Sequence, residues 1–149
     1  MPKDFAILWT IEGVPELSRL LKMKGKNLDN YKTPLKESAD LILSDVSKQF
    51  RTEGNLSGGW EPLALSTLIG KARQGYGDKP ILERTGKLKK SFYKKVSKKR
   101  AYVSSSSPYF GFHQSRAPRT KIPRRPMLLL TEKTKHEIVR KFQRFIQNA

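Results

Sequence analysis

The stretch Thr33-Pro-Leu-Lys-Glu-Ser-Ala-Asp-Leu-Ile-Leu-Ser-Asp-Val-Ser-Lys-Gln-Phe50 carries the clearest periodicity in the chain. Leu35, Ala39, Ile42, Leu43, Val46 and Phe50 fall at i, i+4, i+7, i+8, i+11 and i+15. That spacing places them on one stripe of a helix of about 16 residues, with core as its destination. Thr33-Pro34 reads as an N-cap followed by proline at the first helical position, where a missing N–H costs nothing. A stripe this long needs a second apolar surface to cover it, and the rest of the chain is read for that surface.

N-terminal to the helix, Phe5, Ile7, Trp9 and Ile11 alternate with Ala6, Leu8, Thr10 and Glu12. Period two over eight residues predicts a strand with one strongly apolar face. Gly13 ends it. Val14, Leu17, Leu20 and Leu21 then predict a short helix, and Gly25 to Asn30 a polar turn. C-terminal to the helix, Thr52 to Gly59 reads as a loop leading to Trp60. Pro62 is expected to open a helix carrying Leu63, Leu65, Leu68, Ile69 and Ala72. Thr85-Gly86-Lys87-Leu88 suggests a short helical turn. Phe92 to Ser97 and Ala101 to Ser106 predict two strands, with Lys98-Lys99-Arg100 at the exposed turn between them, where charge also deters stray edge pairing. Pro108 to Pro126 shows no period. Met127–Leu130 is expected to form a last strand. Thr131 or Thr134 is expected to cap a terminal helix with Ile138, Val139, Phe142, Phe145 and Ile146 on its apolar face. The residues thus predict three to four strands and about four helices in a single domain over 1–149, with flexible loops at about 51–61, 74–80 and 108–126.

Charge narrows the function. The chain of 149 residues has a net charge of +18. Residues 1–74 hold 11 basic and 9 acidic side chains, and residues 75–149 hold 20 basic and 4 acidic, so nearly all the excess lies in the second half. A charge gathered in this way implies an anionic partner or nearby DNA. Between Lys87 and Arg100 lie Lys87, Lys89, Lys90, Lys94, Lys95, Lys98, Lys99 and Arg100 without one acid. Phe92, Tyr93 and Tyr102 are interleaved with them. Two readings of these aromatics stand: bases stacking on them, or, as favoured here, rings packing inward as the apolar members of two strands. Lys94, Lys95, Lys98, Lys99, Arg100, Arg116, Arg119, Lys121 and Arg124 are the candidate contacts to a partner or to DNA phosphates.

Catalytic chemistry finds little support. The absence of cysteine removes disulfides, thiol nucleophiles and thiolate metal sites, and fits a reducing cytosol. His113 and His136 are the only histidines and lack metal-ligand spacing. Acids are too sparse in the second half for a paired-carboxylate site. Ser57 lacks the Gly-x-Ser-x-Gly frame, because Asn55 stands two residues before it. Gly86-Lys87 fails as a phosphate loop, since Ile81 replaces the first glycine and Leu88 the hydroxyl residue. No enzyme activity, metal or cofactor is expected. No segment approaches the roughly 20 apolar residues of a membrane span, and Met-Pro-Lys-Asp lacks a secretion-signal layout.

Several short motifs follow one another in a specific order: Phe50-Arg-Thr-Glu-Gly54, Trp60-Glu-Pro62-Leu63, Thr67, and Ile81-Leu82-x-x-Thr85-Gly86-x-Leu88-x-x-Ser91. Tyr109-x-x-x-His113-Gln114 and Ile122-Pro123-Arg124-Arg125-Pro126-Met-Leu come after them. Over about residues 38–147 this series resembles the phage virion morphogenesis, or tail completion, family. The family tends to have glycine soon after the His-Gln pair, where this chain has Ser115 and Arg116, and often a small residue where it has Arg124. The resemblance implies a non-enzymatic α+β protein, a small, mainly antiparallel sheet packed by helices with long loops for assembly. It implies a neck or tail-completion component at the head–tail junction of the virion, made in the host cytoplasm. Its implied partners are further copies of itself in a ring, expected as a hexamer, other connector, tail-tube or tail-terminator proteins, and phage DNA met through non-specific phosphate contacts. Trp60, Pro62, Thr67, Leu82, Thr85, Gly86, Leu88, His113, Gln114, Pro123, Arg125 and Pro126 are its motif positions here. The alternative is a stand-alone basic nucleic-acid-binding protein.

Overall fold

A computed structural model describes residues 7–10, 19, 30–115 and 122–148 of the chain. The architecture is α+β. In chain order the elements are β1 (Ile7–Thr10), α1 (Lys32–Arg51), α2 (Leu65–Arg73), α3 (Lys87–Lys90), β2 (Phe92–Val96), β3 (Arg100–Ser105), α4 (Phe110–Gln114) and α5 (Glu132–Gln147). β2 and β3 form an antiparallel hairpin in which Phe92 faces Ser105 and Val96 faces Ala101. β1 runs antiparallel along the other side of β3, pairing Ile7 with Val103 and Thr10 with Arg100. The predicted helix after Gly13 and the turn before Asn30 lie outside the described residues.

Helix α1 is the centre of the fold because its stripe meets two surfaces at once. Leu35, Ala39, Ile42, Val46 and Phe50 are all buried. One flank packs on α5 and another on the β2–β3 hairpin. Full burial of the four larger side chains among them contributes roughly 1.5–3 kcal/mol each. From α5 come Ile138, Phe142 and Ile146, and from the sheet Ala101 and Val103. An aromatic chain ties the C-terminal end of α1 to the loops: Trp60 meets Phe50 edge-on at 5.6 Å, Phe50 meets Phe92 at 5.9 Å, and Phe92 meets Phe110 at 5.4 Å. At the other end Tyr31 packs on Phe142 and Phe145 at 6.5 and 6.2 Å.

Helix ends differ from the expected ones for identifiable reasons. α1 begins at Lys32 with Tyr31 as its N-cap, not at Thr33. Tyr31 is held there by its ring, packed on Phe142 and Phe145, and by its N–H, which donates to the Lys98 carbonyl at 2.7 Å. Asn30 Oδ1 accepts from Lys32 N at 3.0 Å and serves the helix end instead. Pro34 remains in the first turn, where no N–H is required. The helix expected from Pro62 begins only at Leu65. The Glu61 and Pro62 carbonyls accept hydrogen bonds from Arg125 and hold that segment out of the helix. Thr131, one of the two proposed caps, does cap α5: its hydroxyl accepts from Thr134 N at 3.1 Å. Thr134 Oγ1 in turn donates to the Asp45 carboxylate, joining α5 to α1.

Two readings of the sequence need correction. Met127–Leu130 is not a strand. The side-chain amide of Gln114 takes the place of a neighbouring strand: Oε1 accepts from Met127 N and Leu128 N at 2.9 and 3.0 Å, and Nε2 donates to the Leu128 carbonyl at 2.8 Å. Inside the stretch read as periodless, Phe110–Gln114 forms a short helix, with Phe110 buried in the aromatic chain.

Candidate functional site

The site is built outward from the end of α1. Gly54 adopts a left-handed conformation with φ +91°, and a Cβ there would stand 2.3 Å from Trp60 Cδ1. Only glycine lets the loop fold back this closely. Gly54 N donates to Gln49 O at 2.8 Å and Trp60 N to Glu53 O at 2.7 Å, so the loop closes on its own backbone. The buried Trp60 then reaches the far segment, its indole N–H donating to the Pro126 carbonyl at 2.9 Å. Gln49 Nε2 donates to the same carbonyl at 2.8 Å and to Ser57 Oγ at 2.8 Å, while Gln49 Oε1 accepts from Leu56 N at 2.9 Å.

Arg125 completes the tie. Its N–H donates to the His113 carbonyl at 3.0 Å, and its guanidinium donates to the Glu61 carbonyl at 2.9 Å and the Pro62 carbonyl at 3.1 Å. The planar fork suits two adjacent acceptors. Burial pulls this guanidinium below its ordinary value, and the Glu61 carboxylate opposes that pull. Gln49, Trp60, Gln114 and Arg125 thus fasten three stretches distant in sequence: 49–62, 113–115 and 125–128.

These ties shape an open cleft of about 1060 Å³. Pro62, Thr67, Leu82, Thr85, Gly86, Leu88, His113, Pro123 and Arg125 all line it, so most of the motif positions converge on one surface although they span more than sixty residues of sequence. Trp60, Gln114 and Pro126 do not line it; they belong to the hydrogen-bonded tie. Two backbone conformations are uncommon here. Gly86 has φ +75° at the N-cap of α3, and Leu82 has φ +63°, rare for a residue with a branched side chain. Glu53, also at positive φ, accepts from Ile81 N at 2.9 Å through Oε1 and anchors the segment leading to Leu82.

Helix α2 forms one wall of the cleft through Thr67, Gly70 and Lys71. None of its residues is buried. Leu65, Leu68 and Ile69 turn away from the cleft lining and are 72%, 46% and 44% exposed. Tyr109 at the cleft is exposed as well.

The candidate basic contacts do not form one patch. Lys94 lies on the helix side of the hairpin and pairs with Asp40 of α1. On the opposite face Lys95 sits 5.9 Å from the ring centroids of both Tyr93 and Tyr102, whose rings meet edge-on at 6.2 Å. Hydrogen bonding to Tyr102 raises the Lys95 ammonium above its ordinary value, and the charges of Tyr102 and Tyr93 add to this. The expectation that all three hairpin aromatics pack inward is therefore corrected. Phe92 does, but strand alternation puts Tyr93 and Tyr102 on the other face. Lys98, Lys99 and Arg100 are exposed at the hairpin turn. Arg124 donates through Nε to the Gln114 carbonyl at 3.1 Å. Arg116, Arg119 and Lys121 lie outside the described residues.

Gln49 is the important residue that the apolar stripe leaves out. It lies on the buried face of α1, seven residues after Ile42 and three after Val46, so a polar residue on that face is the sign of its role. Glu53 stands within the Phe50–Gly54 motif, but its tie to Ile81 has no local signature. Among the described residues no group of three or more His, Cys, Asp or Glu side chains is placed to hold a metal ion. Among them, too, no helix is long and apolar enough to cross a membrane.

Comparison with known families gives the site its context. The profile of the phage virion morphogenesis family matches residues 14–146, and the chain belongs to that family. Membership places it among proteins of phage virion assembly, a structural rather than a catalytic role. No curated protein matches the chain, and no solved structure does. The family match begins after β1 and covers the whole cleft.

Proposed function

We propose that this protein is a tail-completion, head–tail joining component that acts as a ring subunit around the DNA channel of the virion neck. The observation that carries this reading is helix α2. It has no buried residue, yet it presents Leu65, Leu68 and Ile69 to solvent on one side. A contiguous apolar ridge of this kind is a surface prepared for association. Covering it contributes roughly 1.5–3 kcal/mol per fully buried side chain. A neighbouring subunit is the partner that repeats at every position of a ring. The basic second half suits a channel through which phosphate passes without base-specific contact.

The test mixes tails and filled heads from phage lacking this protein with the purified chain. Restored infectivity and joined particles are expected. Full joining in its absence, or no rescue by folded protein, contradicts the proposal. The Leu65→Asp/Leu68→Asp double variant is expected to lower rescue at least ten-fold.

The stand-alone nucleic-acid-binding reading draws its support from the Tyr93–Lys95–Tyr102 cluster, with Tyr93 and Lys95 exposed and Tyr102 half-buried, beside the basic hairpin turn. It differs in predicting tight binding of the free protein to DNA at physiological salt, weakening steeply as salt rises. Negligible affinity under those conditions removes it.

A further inference from the structure

We propose that the motif-lined cleft receives an extended, acidic and partly apolar segment of a different virion protein. The inference rests on the reading of the chain as a joining component and names the partner of its cleft.

Charge decides the sign of the occupant. Lys71, Arg84, Lys87 and Arg125 line the cleft, against the single acid Glu61. Two of these cations are held by neutral carbonyls: Arg125 by Glu61 O and Pro62 O, and Lys71 by Lys79 O and Pro80 O at 2.7 and 3.2 Å. Carbonyls orient a cation but leave its charge in place. Arg84 lies over the Tyr76 ring at 5.3 Å, and Lys87 has no ion-pair partner among the described residues. The lining is therefore net positive, and an anionic segment gains from entering it.

Shape and polarity decide its class. At about 1060 Å³ the cleft stands at the upper end of the range of small-ligand pockets, roughly 300–1,000 Å³, and is open to solvent, so it has room for several residues of a peptide segment. Pro62, Leu63, Leu82, Leu88 and Pro123 give it an apolar floor that does nothing for a phosphate backbone but suits apolar side chains. Recognition of acidic motifs by clustered basic side chains is a recurring mode of peptide binding, and the apolar lining adds a place for the segment's apolar side chains. A second copy of this chain fits poorly. With a net charge of +18, a second copy would bring like charge to a positive surface.

The experiment uses assembled virions carrying the full chain, with the photo-crosslinking residue p-benzoylphenylalanine at Tyr109 in the cleft, and at Tyr93 on the outer sheet face as control. Immunoblotting first asks whether the chain is in the particle. Its absence overturns the joining role and this inference with it. When it is present, the expected result is a crosslink from position 109 to a segment of another virion protein rich in Asp or Glu. That crosslink should fall at least ten-fold in the Arg84→Glu/Lys87→Glu variant, with the melting temperature unchanged. A crosslink to a second copy, to DNA or to a segment without acidic excess overturns the inference alone. So does a yield no higher than at position 93, or a yield that ignores the charge reversal.

Discussion

Trp60 and Pro126, sixty-six residues apart, are joined by a 2.9 Å hydrogen bond from the indole N–H to the proline carbonyl. This bond closes the loop after α1 onto the segment that leads to α5, and the cleft exists because both ends are held. Trp60→Ala is expected to destabilise the protein by about 3–5 kcal/mol, since it removes a buried aromatic and its packing on Phe50. Trp60→Phe keeps a ring and loses the donor. Gln49 still serves the Pro126 carbonyl, so the cost falls to about 1 kcal/mol. Denaturant melts of the two variants measure the difference.

Glycine position separates strain from collision. Gly54 and Gly86 both have positive φ, but a Cβ at Gly54 meets Trp60 whereas one at Gly86 meets nothing within 4 Å. Gly86→Ala should cost about 1–2 kcal/mol from backbone conformation alone. Gly54→Ala should cost more than that, because the indole must also move. Equal melting temperatures for the two variants would contradict this assignment.

Gln114 is expected to protect two backbone amides through its side chain. In hydrogen exchange, Met127 and Leu128 should be slow in the native protein and should lose protection in Gln114→Ala. The global cost should be about 2 kcal/mol, since a half-buried position lets water replace part of what is lost. Unchanged exchange at both amides would show that the segment is held by other means.

This pair also explains what could be read from sequence and what could not. The α1 stripe was legible because a helix buries every third or fourth residue regardless of its partners. The β2–β3 hairpin was legible from its alternation and its basic turn. Met127–Leu130 reads as a strand because a short apolar run looks the same whether its backbone pairs with a strand or with the amide of Gln114. Tyr93 and Tyr102 share the aromatic character of inward-packing residues, but strand alternation puts them on the face opposite Phe92. The motif positions were visible one by one. Their convergence on a cleft was not, because it depends on ties such as Arg125 to Glu61 and Gln49 to Pro126 that have no local signature.

Acid should act measurably at Glu132. Hydrogen bonding from Lys135 at 2.8 Å, then the Lys135 charge, hold its carboxyl below the usual carboxylate range, with a smaller contribution from His136. A depressed folded value means that its stabilising contribution is present above the ordinary carboxylate pKa and is lost as pH falls through the folded value. The NMR titration of the Glu132 side chain should show a midpoint below that of a free glutamate, and Lys135→Ala should move it upward. A midpoint indifferent to Lys135→Ala would contradict the assignment.

Whether this chain joins heads to tails as a ring subunit is decided by electron cryomicroscopy of the intact virion neck, at a resolution that traces side chains. A closed ring of this chain is expected at the head–tail junction, with Leu65, Leu68 and Ile69 covered by the neighbouring subunit. Density for the chain elsewhere in the particle, or a neck in which those three side chains still face solvent, would contradict it.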